Sequence, residues 1–438
     1  MLVSTKGQLP PGRPWPMPVQ AAAWITRPKP FLRRAHADYG DIFTLRFRES
    51  ATLVVLADPA DVKQVFTGSP DVYRAGEGNA ILGPILGPHS LLLLDGMEHL
   101  RQRKLLLPPF HGERMQRYRE IMREAAEHEI STWPAGEPVQ IARRMQEVTL
   151  EIIMRAVFGV SDAAEMGHLR RVLLELLEWT VKPARFMRLA LSGTERIERH
   201  APFQRVLKPV DDALLTIIAE RRRAPDLAAR EDILSLLLSA RDEDGEGLSD
   251  GELRDELMTL LLAGHETTAT ALGWAVERLL RHPEAMELAV RDARGGDGSY
   301  LDAVAKETLR LRPVLPLVAR KLSQPVEIHG YELPAGTIVN PSIYLVHHRA
   351  DIYPEPDVFR PERFLASKPG TYTWLPFGGG VRRCIGASFA LFEMQVVLGE
   401  LLRSVDLRAT RDGFEPTRRR AITLVPGRGA EALASPAA

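Results

Sequence analysis

The run from Ser249 to Pro283 constrains the fold more than any other part of this chain. Ser249, followed three residues later by Glu252, reads as a capping box, in which hydroxyl and carboxylate satisfy orphan N–H groups at a helix start. No proline interrupts the pattern until His282–Pro283, where the ring disfavours helix at the residue before it. The spacing predicts one helix over 250–281. At about 1.5 Å per residue that helix is nearly 50 Å long, enough to cross a globular domain. Its centre, Leu260-Leu-Leu-Ala-Gly-His-Glu-Thr-Thr-Ala269, is apolar except for a histidine, an acid and two threonines. Polar groups in the middle of a buried helix are costly unless they have partners or a task.

The remaining pattern is mainly α with small β-sheets. Residues 42–57 alternate apolar and polar around a turn at Arg48–Ser50 and predict a β-hairpin. From Asp58 to about residue 323 helical periodicity dominates, as in Val210, Leu214, Ile217 and Ile218. Strand character returns over 326–339, a helix is expected from about Gly386 to Ser404, and a short strand over Ala421–Val425. The acidic, Gly-rich run Asp242–Gly251 reads as a solvated loop between helices. Residues 1–40 carry Pro10, Pro11, Pro14, Pro16 and Pro18, which predicts an extended N-terminal strap in place of a helix. With no repeats and no linker, residues 1–438 are expected to form a single domain.

Composition narrows the function. The 438 residues balance 57 basic against 57 acidic side chains, which argues against nucleic acid as the main partner. The single cysteine excludes an internal disulfide and every metal site needing several thiolates. No stretch approaches the ~18 apolar residues of a transmembrane segment. The N-terminus also lacks a signal-peptide pattern, so a soluble, cytoplasmic protein is expected.

That cysteine, Cys384, lies in Phe377-Gly-Gly-Gly-Val-Arg-Arg-Cys-Ile-Gly386, between a Gly-rich loop and a helix start. The glycines let the backbone approach something flat or bulky. The helix dipole and Arg382 and Arg383 are expected to bias the thiol towards thiolate, a soft ligand for iron or a nucleophile. A buried structural cysteine is the alternative. A phosphate loop would need Lys-Ser/Thr after its last Gly, but Ala387 and Ser388 follow Gly386. A thiol phosphatase would need Arg where Ala390 stands, and no papain-like signature is present.

The segment resembles the haem-binding signature of the cytochrome P-450 superfamily, Phe-x-x-Gly-x-Arg-x-Cys-x-Gly, at Phe377, Gly380, Arg382, Cys384 and Gly386. Ala263-Gly264-His265-Glu266-Thr267-Thr268 is similar to the family's oxygen-activating motif. Glu307-Thr-Leu-Arg310 matches its Glu-x-x-Arg, and Pro361-Glu-Arg-Phe364 supplies Arg363. His99 and Arg103 fit its His-x-x-x-Arg. The resemblance runs from about residue 40 to the C-terminus. It implies haem b (iron protoporphyrin IX), enclosed between a long distal helix and a proximal cysteine loop, with Cys384 as the axial ligand to iron.

The same resemblance implies further roles. Phe377 would pack near the sulfur, and Glu266 and Thr267 would form an acid–alcohol pair delivering protons for oxygen activation. Thr267 bonding back to a helix carbonyl is compatible with that role. Glu307, Arg310 and Arg363 would form a buried structural network, and His265 receives no role. His99, Arg103, Arg382 and, by position, Arg320 would hold the haem propionates. Ile81, Leu82, Ile85 and Leu86, with Leu260, Ala263, Leu317 and Val318, are candidate walls of a lipophilic pocket; ordinary core is the alternative for each.

The expected activity is insertion of one atom of O2 into a lipophilic small molecule such as a fatty acid, terpenoid, steroid or polyketide. Ferredoxin and ferredoxin reductase would supply NAD(P)H-derived electrons, since no fused reductase is expected; a monomer is expected as well. Arg101, Lys104 and Arg383 would offer the ferredoxin a basic face. A peroxide-driven peroxygenase or haem-thiolate isomerase, and a haem-based sensor or carrier, are the alternatives. The intact Glu266–Thr267 pair argues against each of them.

Overall fold

The long helix forms over Asp250–Leu280, and both halves of its capping box are made. The computed structural model describes residues 9–48, 51–110, 112, 114–159, 163–181 and 200–437. The helix is buried continuously from Leu253 to Leu261 and again from Thr268 to Leu279. Between them, over residues 262–267, only His265 is buried. The helix packs along Ile141–Phe158 and also contacts Ala201–Arg223, Ser299–Leu311 and Ala387–Ser404. Together these helices enclose the main apolar core.

The sheets lie around this helical body. The hairpin Ile42–Arg48/Ala51–Leu56 pairs Ile42 with Leu56; residues 49 and 50 of its expected turn lie outside the described residues. It extends through Ile338–Pro341 and Arg320–Leu322 to Tyr73–Arg74, giving five strands. The strand signal over 326–339 therefore divides. Val326–Ile328 and Tyr331–Leu333 make their own hairpin, while Ile338–Pro341 joins the larger sheet. A three-stranded sheet joins Pro138–Gln140, Glu431–Pro436 and Val405–Ala409, none of them anticipated. The last expected strand begins at Thr423, not Ala421, because Ala421 makes the turn of a hairpin at φ +51°. Among the described residues, no helix is long and apolar enough to cross a membrane.

The N-terminal expectation is corrected. Met17–Thr26 and Pro28–Tyr39 are helices, and the stretch around Pro10–Gly12 runs extended against Thr44; residues 1–8 of the expected strap lie outside the described residues. Prolines stand in the first turn of each helix, where their missing N–H has no intrahelical acceptor and their fixed φ suits the helix. Proline density thus marked helix starts. Trp24, Phe31, Leu32 and Ala35 on these helices pack into a small core with Phe43, Leu45 and Tyr344.

Three motif residues meet in the interior. Arg310 donates to both oxygens of Glu307, at 2.6 and 2.8 Å, with neither side chain exposed. Its other donors reach the carbonyls of His347, Pro356 and Val358. Arg363 Nε lies 3.5 Å from Glu307, while its guanidinium donates to the Glu355 carbonyl. The backbone N–H of Arg360 is an unforeseen donor to Glu307, at 2.9 Å.

Arg310→Met should cost about 3–5 kcal/mol in denaturant unfolding, because Glu307 keeps its charge without its bidentate partner. A loss below 1 kcal/mol would contradict a buried pair of this kind.

Buried histidines supply a pH test. His347 is pulled down to about 3, chiefly by burial and then by Arg310. His265 falls to about 4 through burial, then Arg420 and Arg170. The unfolded chain takes up these protons near pH 6.5 and the folded chain does not, so stability falls as pH falls below that value. Each group should contribute about 1.4 kcal/mol per pH unit between roughly 6 and 4.5. Buried neutral acids such as Glu393 slope the bulk curve the other way, so the check is an NMR titration of the two imidazoles, and either ring ionising near pH 6.5 in the folded protein would refute the assignment.

Candidate active site

The cysteine loop is shaped by packing on the helix Pro59–Thr67. Gly378 and Gly380 take φ of +67° and +64°. A Cβ on Gly379 would strike the Phe66 ring, and one on Gly380 the Phe66 carbonyl. The bulky group these two glycines admit is therefore a protein residue, Phe66. Cys384 closes the loop through its N–H to the Phe377 carbonyl at 3.0 Å, and Gly386 caps the helix Ala387–Ser404. Phe377 is half-buried and meets Trp374 edge to face.

Cys384 is exposed on one side, yet surrounding protein desolvates its sulfur and raises the thiol pKa. A backbone hydrogen bond from Gly386, then Arg383 and Arg103, oppose this without overcoming it. The protein alone therefore does not produce the expected thiolate bias, and Arg382 is not among the groups acting on the sulfur. A metal cation at the sulfur would deprotonate it outright.

Beside this loop Arg103, Arg320 and Arg382 gather around His99, and one carboxylate, Asp95, is bonded to Arg382. His99 is buried, its Nδ1 has no hydrogen-bond partner among the described residues, and it is pulled down to about 3 by burial and then by Arg382, Arg103 and Arg320. Burial lowers Arg320 to about 10, and its guanidinium lies over the Phe66 ring. Arg382 binds Asp95 at 2.5 Å and the Leu91 and Leu94 carbonyls. Arg103 is half-buried, and burial lowers its pKa. Three guanidinium charges against Asp95 leave two in excess, with an orphaned imidazole nitrogen beside them. That balance suits a ligand bearing two carboxylates, as haem b does.

On the long helix, Ala263 is exposed and Gly264 and Thr267 are half-buried, although the helix on either side is enclosed. The Thr267 hydroxyl donates to the Ala263 carbonyl at 2.5 Å. Glu266 has partners the sequence did not indicate. Its Oε1 lies 3.1 Å from the Thr423 hydroxyl and 3.5 Å from Arg420 Nε, both on the C-terminal hairpin. The Trp274 indole anchors the same hairpin through the Leu424 carbonyl, at 2.8 Å. His265 turns away into the helix Ile141–Phe158, where its carbonyl accepts from Thr149 at 3.0 Å. At the end of the motif, Thr268 bonds to Glu393, a fully enclosed acid whose carboxyl burial holds well above its usual range.

The loop after the candidate pocket segment is fixed to the long helix by one turn of polar residues. Arg254 donates to the Leu86 carbonyl, Asp255 accepts from the His89 N–H, and Glu256 accepts from the Leu91 N–H at 2.7 Å. Thr259 meets Ser90 at 2.7 Å. A Cβ on Gly87 would collide with the Asp255 carboxylate, so this approach needs glycine. Nothing in the sequence reading singled out this turn. Leu86 and Leu260 are buried in the main core, and Ile81, Leu82 and Ile85 sit half-buried against it. Leu317 packs on the N-terminal cluster and Val318 on the sheet core.

The expected basic face is largely neutralised. Arg101 pairs with Asp242 and Glu252, at 2.6 and 3.0 Å, and Lys104 with Glu243 at 2.7 Å. The acidic run 242–251 is thus a partner for these cations, not only a solvated loop. Arg383 is exposed.

Comparison with known proteins agrees with this architecture. The cytochrome P450 family model matches residues 9–430. A Mycobacterium tuberculosis protein named cytochrome P450 135B1 is 45% identical over 428 residues, covering 96% of this chain and 90% of its own. Another from the same organism, cytochrome P450 137, is 40% identical over 435 residues, 98% of this chain and 91% of its own. Among solved structures, the heme domain of cytochrome P450DA has a TM-score of 0.85 at 24% identity, covering 100% of this chain and 99% of its own. The retinoic acid bound cyanobacterial CYP120A1 has a TM-score of 0.81 at 24% identity, covering 98% of this chain and 99% of its own; at this identity both speak to the fold. With a family model matching nearly the whole chain, and a site whose charge and loop geometry suit haem b, this chain belongs to the cytochrome P450 family of haem-thiolate proteins.

Proposed function

We propose that this chain is a monooxygenase that inserts one atom of O2 into a lipophilic small molecule, with electrons delivered by a separate ferredoxin and its reductase. The observation that carries the reading is the Glu266–Thr267 pair, at the stretch in the middle of the long helix that is not enclosed. Haem b, held through Cys384, supplies the redox chemistry that activates dioxygen. His99, Arg103, Arg320 and Arg382 would hold its two carboxylates by charge and hydrogen bonding.

The chain's own residues then handle protons. Thr267 holds its hydroxyl proton on the Ala263 carbonyl, ready to be redirected. Glu266 is tied to Thr423 and Arg420, and the Arg420 side chain is 28% exposed, so the acid on the open stretch of the helix lies beside a group that reaches water. A guanidinium keeps its own protons, so Glu266 itself, 13% exposed, would take protons from water at this edge and pass them inward, with Ile81, Leu82, Ile85, Leu260 and Ala263 as apolar walls. Such walls favour an apolar substrate. With Arg101 and Lys104 already paired, the ferredoxin would meet a surface centred on Arg383.

A screen of lipophilic compounds by the shift of the haem Soret band should yield binders, and turnover under 18O2 should place one labelled atom in the product. Compounds that bind but return unlabelled or unchanged would count against the reading. With a binder from that screen and a plant-type ferredoxin and reductase, Thr267→Ala should release as peroxide most of the reducing equivalents that the unsubstituted protein puts into product. Unchanged coupling would remove Thr267 from proton delivery.

A further inference from the structure

His347 is fully buried at the end of the short helix Ile343–His347, and its two ring nitrogens face different elements. Nδ1 lies 3.1 Å from the Arg310 carbonyl, and Nε2 lies 2.7 Å from the Leu375 amide nitrogen. The amide of Leu375 can only donate, so Nε2 is bare, and the ring proton sits on Nδ1 and is given to Arg310. Burial holds the ring neutral, with its pKa near 3, so both bonds persist at ordinary pH. Arg310 also donates to the His347 carbonyl at 2.9 Å, which clasps the histidine from the backbone side.

Leu375 stands two residues before Phe377, and from it the bonding runs to the cysteine. The Leu375 carbonyl accepts from the Gly378 N–H at 2.9 Å, and the Phe377 carbonyl accepts from the Cys384 N–H at 3.0 Å. We infer that His347 is a positioning residue for the cysteine loop: by joining the Arg310 carbonyl to the Leu375 amide, it fixes where the loop starts and hence where Cys384 is presented. The inference rests on Cys384 being the iron ligand. Its test separates the two claims, since an unsubstituted protein without a red-shifted thiolate band would sink the ligand assignment itself.

Asparagine places its amide where the imidazole Nδ1 sits, and glutamine where Nε2 sits. His347→Asn therefore keeps the bond to Arg310 and loses the one to Leu375, while His347→Gln does the reverse. Both variants lose ring packing and should fall in Tm. In the reduced CO complex, His347→Gln should keep most of the red-shifted thiolate band, and His347→Asn should lose about half or more of it to the unshifted position. Equal losses in the two variants, or a full band in His347→Asn, would overturn the inference. The unsubstituted CO complex gives a measurement independent of variant folding. With 15N-labelled histidine, His347 should show a protonated Nδ1 and a bare Nε2, and the opposite tautomer would overturn the inference as well.

Discussion

A helix of 31 residues that crosses the molecule must be enclosed for most of its length, or its apolar surface would face water. Here the enclosure comes from surrounding helices, Ile141–Phe158 above all, and stops over residues 262–267, the stretch that carries the acid and the alcohol. Flanking turns buried and middle open is therefore one condition with two results. The buried turns fix the helix rigidly, and the unburied turn gives its polar groups somewhere to act. The C-terminal hairpin meets the helix at that boundary, where Thr423 and Arg420 take up the carboxylate of Glu266.

Charge is arranged with similar economy. The interior Arg310 is matched donor by donor, to Glu307 and to three carbonyls, so its burial leaves little polar strain. The cluster of Arg103, Arg320 and Arg382 is deliberately unmatched by comparison, with Asp95 as its acid and His99 kept neutral. One set of arginines completes the fold, and the other waits for an anion.

The fold and the chemistry were legible to different depths. The long helix was readable because its signals are local: a capping box, uninterrupted periodicity and a proline stop. The cysteine signature was readable because its residues are contiguous. Prolines misled at the N-terminus because their meaning depends on position: Pro16 directly precedes one helix, and Pro18 and Pro28 stand in first turns, where a missing N–H costs least. The partners of Glu266 lay some 157 residues away in sequence, and no periodicity reports that a terminal hairpin docks on a central helix. The thiolate bias failed for a related reason. Nearby arginines are visible in sequence, whereas the desolvation that outweighs them is a property of the packed loop. Arg101 and Lys104 looked like a bare basic face until the loop at 242–243 and Glu252 were seen to cover them.

The loop at residues 86–91 is held to the long helix largely through its own backbone, at the Leu86 carbonyl and at the His89 and Leu91 amides. The Leu91 carbonyl is taken in turn by Arg382, two residues from the cysteine. Anchors of this kind do not read side chains. Apart from Gly87, whose bareness the Asp255 carboxylate requires, and Ser90, most of the segment is free to change its residues while keeping its path. Relatives could therefore diversify what the neighbouring pocket accepts by substitution alone, but an inserted or deleted residue here would break the alignment of amides with Asp255 and Glu256. Length, more than identity, is what selection should hold constant in this loop.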